Sequence, residues 1–196
     1  TPLPPPTADI GATPRSDQQW YELYFTDPVH TADMKTPGGG IPDRVIASFD
    51  EAQKSIEVAV YEFDWEPLAE ALVRAQERGV RVRVVTDSDS LSDEGIPLLK
   101  KAGIPVVADQ RQAIMHDKFA IIDNSTVWTG SMNFTRNDAY RNNNHFMKIR
   151  STQLAANYAA EFEEMFTRQE FGPRSTANTP HPQLTINGVK LENYFA

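Results

Sequence analysis

HDKFAIIDNSTVWTGSMNFT, residues 116–135, reads as two short apolar runs joined through Asn124, the pattern of a β-hairpin. Alternate residues of a strand share a face, so His116 and Lys118 project together. Phe119, Ile121 and Ile122 anchor the same strand in a core. An imidazole beside an ammonium is an unfavourable pair unless an anion lies between them, and a phosphate meets that requirement. Gly130 permits a tight backbone turn. Ser131 and Asn133 offer short polar side chains able to bind phosphate oxygens or orient the imidazole.

Upstream, strand and helix patterns alternate. WYELYFT (20–26) alternates like a strand, and Pro42 sits just inside a helix carrying Val45, Ile46, Phe49 and Ala52 at helical spacing. SIEVAVYEF (55–63) is a β-branched strand. Leu68, Leu72, Val73 and Ala75 mark a second helix that stops at Gly79, and VRVRVVTD (80–87) is again a strand. A helix over about 94–102 leads into IPVVA. This alternation predicts an α/β domain with a mixed, mostly parallel central sheet flanked by helices. Downstream, HFMKIR (145–150) adds a strand, and Leu154, Tyr158, Phe162 and Met165 share one face of a closing helix.

The folded domain is therefore expected over 20–170. Before it, TPLPPPTADIGATPRS opens a leader, 1–19, expected to be extended and poorly ordered. Leaders of this composition often follow a cleaved export signal, which points to an exported, extracytoplasmic protein. After the domain, the Pro-rich GPRSTANTPHPQ precedes LENYFA, which echoes YELYFT. Residues 171–196 thus read as a linker with a candidate first strand of a second copy.

The formal net charge is −8, so bulk electrostatics do not favour nucleic acid. The charge is uneven, however. From Arg111 to Arg150 six cations stand against three acids, which leaves room for a local anion site. No apolar run approaches the roughly eighteen residues of a membrane span. With no cysteine there is no thiolate chemistry and no Cys-based zinc site, and His30, His145 and His181 are too scattered to suggest metal ligands.

His116, Lys118, Asp123, Gly130, Ser131 and Asn133 fit the pattern H-x-K-x4-D-x6-G-S-x-N without a gap. In this the chain resembles the phospholipase D superfamily of HKD-motif phosphodiesterases, nearest to its endonuclease-like bacterial branch. The resemblance runs over roughly 20–166 and includes IEVAVYEF and GVRVRVVTDSD. It implies a phospholipase D-like fold and a metal-independent, cofactor-free displacement in which neutral His116 attacks phosphorus and forms a phosphohistidine. A second His from a paired motif protonates the leaving oxygen. Lys118 and Asn133 stabilise the transferring group, with Ser131 also on the phosphate. Asp123 belongs to the motif and is expected to support the loop more than to react.

Many relatives place a Glu fourteen residues after the motif glycine, where it sets the tautomer of the nucleophilic His. Here that position is Asn144, beside His145, and both are candidates for contact with the site. One motif is half a site, so a homodimer or a second HKD domain is expected to complete it. The expected activity is hydrolysis of phosphodiester bonds, with nucleic acid favoured over phospholipid. The alternatives are a phospholipase D or phosphatidyltransferase, for which Trp65 and Trp128 are the candidate interfacial residues, and a catalytically silent binding or dimerisation domain of the same fold.

Overall fold

The computed structural model describes residues 19–28, 40–111, 113–176 and 178–195. Nearly all of the expected 1–19 leader, and His30, lie outside them. Seven strands form one sheet: β1 (Tyr21–Phe25), β2 (Ser55–Val60), β3 (Arg81–Thr86), β4 (Val106–Ala108), β5 (Lys118–Ile122), β6 (Thr126–Gly130) and β7 (His145–Arg150). Their order across the sheet is β1-β7-β6-β5-β2-β3-β4. Helices α1 (Ile41–Glu51), α2 (Glu66–Glu77), α3 (Gly95–Lys101), α4 (Arg136–Tyr140) and α5 (Thr152–Glu163) complete the domain.

The mixed α/β architecture matches expectation, but the balance of strand directions differs. Only β2–β3 and β3–β4 pair in parallel; β1–β7, β7–β6, β6–β5 and β5–β2 are antiparallel. The crossovers through α2 and α3 return the chain in the same direction, the three-residue turn after β5 reverses it, and the longer link that carries α4 brings β7 back antiparallel to β6.

Each face of the sheet has its own core. Ile56, Val58, Val60, Ala120, Ile122 and Trp128 meet Phe49, Leu68 and Leu72 from α1 and α2 on one side. Ala59, Phe119, Ile121 and Val127 meet Leu154 and Phe162 of α5 on the other. Period-two alternation along β5 therefore sends Phe119 and Ile121 towards α5 and leaves Lys118, with Ala120 and Ile122, on the α1–α2 side. All of β2 is buried, including Glu57, whose carboxylate is paired by Arg81 and Arg83. The Arg83 guanidinium also lies over the Phe162 ring.

Residues 171–196, expected to hold a linker and the first strand of a second copy, carry two strands. β8 (Gln183–Ile186) and β9 (Val189–Glu192) form their own hairpin, and Leu184, Ile186 and Leu191 join the α5-side core. Asn187 and Gly188 make its turn with φ of 52° and 84°, and Asn-Gly between alternating apolar residues is a strong hairpin signal. Two buried groups fasten the segment ahead of it. Asn157 exchanges two hydrogen bonds with the backbone of His181. The Glu164 carboxylate accepts from the Ser175 and Thr176 hydroxyls and from the Thr176 N–H. No helix among the described residues is long and apolar enough to cross a membrane.

Candidate active site

The C-terminal ends of β2, β3 and β6 and the starts of β5 and β7 share one edge of the sheet. Ligands commonly bind just beyond the carboxyl ends of parallel strands, because the chain there has left the ladder and its side chains converge. His116 sits at this edge, exposed, two residues before β5 begins. The strand is tied down beside it: the Tyr61 N–H donates to the Asp117 carbonyl at 3.1 Å, and the Tyr61 ring centroid is 5.2 Å from the imidazole's. Lys118 Nζ lies 5.6 Å from that ring centroid and donates to the His116 carbonyl at 3.1 Å.

Asn133 enters from the loop after β6. Its N–H donates to Asp138 Oδ2 at 2.6 Å, and its Nδ2 lies 3.4 Å from Glu62 Oε2, while its buried Oδ1 has no hydrogen-bond partner. Glu62 also accepts the Phe134 N–H through its backbone carbonyl, so the turn after β2 and the loop after β6 are stitched together. The structure thus assembles His116, Lys118 and Asn133 at one edge, with Glu62 and Asp138 beside them.

These neighbours tune the charges. Burial and then Lys118 hold the His116 imidazole below its usual range, against an opposing pull from Asp87, which favours the neutral ring at neutral pH. Burial also lowers Lys118, opposed by Asp138, Asp117 and Glu62. Burial raises the Glu62 carboxyl, and Asp93, Asp138 and Asp64 add to it. On the other face of the sheet burial pushes Glu161 of α5 up to about 7, with Asp117 and Glu164 contributing.

Ser131, Asn144 and His145 bond to one another at the β6–β7 end of the same edge. Ser131 Oγ donates to Asn144 Oδ1 at 2.9 Å, accepts the His145 N–H at 3.1 Å and lies 3.3 Å from His145 Nδ1. Asn144 Nδ2 donates to the Asp138 carbonyl at 3.2 Å, so the amide in the expected Glu position is engaged in closing the β6–β7 edge. By strand alternation the His145 ring belongs to the α5 face, where it lies 6.5 Å from the exposed Phe25 ring.

Asp123 is at the wrong end of β5 to react. In the hairpin turn, with Asp123 and Asn124 at φ of 52° and 53°, its carboxylate accepts from the N–H groups of Gln53, Lys54 and Ser55. Burial pushes its carboxyl up, but these three donors outweigh that and leave it below the ordinary range. A carboxylate held this way stabilises the fold above the ordinary carboxylate range and loses that contribution as pH falls through its depressed value. Asp123→Ala is expected to cost about 2 kcal/mol at pH 7, with the difference from the parent shrinking in acid. Urea melts at pH 7 and pH 3 check both parts, and an unchanged midpoint at pH 7 rules out this clamp.

Tyr61, Glu62, Asp87 and Asp138 are site neighbours that the motif does not contain. Three of them directly follow a strand that reads as parallel, at its carboxyl end, which is the signal that locates them. Among the described residues no group of three or more His, Cys, Asp or Glu side chains is placed to hold a metal ion.

The family model described as "Cardiolipin synthase, PLD-like domain" matches residues 45–166. The chain belongs to the phospholipase D superfamily. The mitochondrial cardiolipin hydrolase of Xenopus tropicalis is 36% identical over 134 residues, covering 67% of this chain and 63% of that protein. This chain therefore spans rather less than two thirds of the length of the cardiolipin hydrolases it matches. A phospholipase D of Rickettsia prowazekii is 32% identical over 148 residues, 74% of this chain and 68% of that one. Among solved structures, the phospholipase D family member Nuc from Salmonella typhimurium superposes with a TM-score of 0.65 at 29% identity. That match covers 79% of this chain and 98% of Nuc.

Proposed function

We propose that this chain is a phosphodiesterase that works through a phosphohistidine on His116. The observation that carries the reading is the neutral imidazole of His116 held beside Lys118 at the carboxyl ends of the parallel strands. The imidazole nitrogen bonds to phosphorus as the P–O bond to the leaving alcohol breaks, and the leaving oxygen takes its proton from the His of a paired motif. Water then attacks phosphorus, the N–P bond breaks, and the proton of water returns to that second His. Lys118 and the Nδ2 of Asn133 stabilise the charge on the transferring group. The paired motif comes from a second copy of the chain or a second HKD domain.

The substrate that suits this edge is a lipid phosphodiester. Glu62, Asp64, Asp93 and Asp138 crowd the phosphate-binding side and oppose the neighbouring charges of a polyanion. An exposed apolar side chain flanks it: Ile114, two residues before His116, is 48% exposed. Trp65 and Trp128 do not serve here, being 4% and 0% exposed in the core. The second reading, nucleic acid, is favoured by the six cations from Arg111 to Arg150, although Arg111 pairs with Asp109, Arg150 pairs with Glu22, and Lys148 lies over Trp128.

Hydrolysis of bis(p-nitrophenyl) phosphate with and without EDTA, followed by cardiolipin or phosphatidylcholine vesicles against plasmid and single-stranded DNA, tests both levels. Turnover unaffected by EDTA with vesicles cleaved and DNA intact is the expected result. Cleaved DNA with intact vesicles transfers the assignment to nucleic acid, and no turnover by chains shown to be paired leaves the silent-domain alternative in its place.

A further inference from the structure

Two carboxylates, Asp87 after β3 and Asp109 after β4, hold the chain that leads to His116. Asp87 is 2% exposed; its Oδ1 accepts the Asp89 N–H at 2.8 Å and its Oδ2 accepts the Met115 N–H at 2.7 Å. Asp109 accepts the Ser88 N–H at 3.1 Å and faces Arg111 Nε at 3.4 Å. The turn after β3 thus grips the chain at Asp109 and again at Met115, one residue before His116. From β2, the Tyr61 carbonyl accepts the Thr86 hydroxyl at 3.1 Å, which locks the ring facing the imidazole to the same strand end. Asn144, in the position where relatives carry a Glu, is meanwhile committed to Ser131 and Asp138.

We propose that Asp87 is the positioning carboxylate of His116, setting the imidazole's origin through the Met115 peptide and stabilising the positive charge that the ring gains on bonding to phosphorus. This rests on His116 being the nucleophile. A buried carboxylate exerts a stronger field than an exposed one because little solvent screens it. The charged and titratable groups around the imidazole are Lys118 on β5, Tyr61 after β2, and Asp87 with Asp89 in the turn after β3. Asp109 and Arg111 pair behind Asp87, and Asp117 turns towards Glu161 on the α5 face. Of these, Asp87 is the carboxylate that raises the His116 imidazole against burial and Lys118.

The test follows the His116 ring protons by NMR titration in the full chain, with His116→Ala used for assignment, beside the pH profile of kcat/KM. Asp87→Asn is expected to lower the His116 pKa by about half a unit, to move the acid limb of the profile by the same amount, and to cut kcat about tenfold with little change in KM. Asp109→Asn, which loosens the far end of the loop, leaves the His116 titration where it was. An unmoved titration in Asp87→Asn, or equal shifts in both variants, overturns the proposal. If Asp87→Asn does not fold, Asp87→Glu carries the test: it retains the charge, so a pKa within about 0.2 unit of the parent supports the proposal and a fall of about half a unit overturns it. Full activity in His116→Ala defeats the nucleophile reading instead, while the ring titration still reports on Asp87.

Discussion

His116→Ala lowers kcat/KM on a simple phosphodiester by about 10⁴-fold and leaves the melting temperature of the protein nearly unchanged. The two halves of that expectation come from the same observation. His116 is exposed at the sheet edge, so truncating it opens no cavity and strands no buried partner; substitutions of this kind stay within about 0.5 kcal/mol of the parent. The rate, by contrast, loses the atom that bonds to phosphorus, and a displacement split into two steps by a nucleophile cannot be divided without it. The pH dependence adds a sign. Because burial and Lys118 hold the imidazole below its usual range, the neutral, reactive form persists to lower pH than for an ordinary histidine, and the rate falls only as pH drops through that depressed value. Lys118→Met removes one depressing charge, so its residual activity shows an acid limb displaced upward. Purified variants assayed from pH 4 to 9, with melts run in parallel, provide the check. Activity of His116→Ala within tenfold of the parent would exclude the phosphohistidine route.

The residues that were readable in the sequence are those whose meaning is local. His116 and Lys118 share a strand face whatever the fold, and the spacing to Gly130, Ser131 and Asn133 is fixed by one hairpin. The β-branched runs at 55–60 and 81–86 and the helical spacing in α1 and α2 are likewise local, and all appear as strands and helices. What sequence order conceals is direction and distance. Alternation is the same in parallel and antiparallel strands, so beyond the short β5–β6 turn the antiparallel half of the sheet had no signature. Asp123 stands in the motif, yet seven residues of extended chain place it about 20 Å from His116, where it clamps the entry to β2. Glu62 and Asp87 reach the site from other strand ends, and their contribution depends on the β5–β2–β3 order that only tertiary structure supplies. Asn187-Gly188 is a hairpin-turn dipeptide between alternating apolar residues, a local signal that the linker expected over 171–196 leaves out.

Gly130→Ala is the substitution expected to damage the fold most for a single added carbon, at about 3 kcal/mol or roughly 8 °C in melting temperature. Its cause is not the tight turn that a glycine at this point of the motif suggests. Gly130 is the last residue of β6, paired with Phe146 of β7, and it is not among the positive-φ glycines. A Cβ at this position would lie 2.3 Å from the His145 carbonyl oxygen and 2.9 Å from the Phe146 Cα, both backbone atoms that cannot swing aside. β7 must therefore move away from β6 at the site edge. That movement strains the Ser131 N–H bond to the His145 carbonyl, at 3.0 Å, and the Ser131–Asn144 bond beyond it, and it shifts the start of the loop that carries Asn133. Activity is accordingly expected to fall with stability, through kcat more than KM, because Asn133 acts on the charge of the transferring group and Lys118 stays anchored on β5. Thermal melts with steady-state kinetics below the transition distinguish the two effects. A Gly130→Ala protein that melts within about 1 °C of the parent would show that β6 and β7 do not approach this closely in solution, and the account of why the motif needs a glycine here would fail with it.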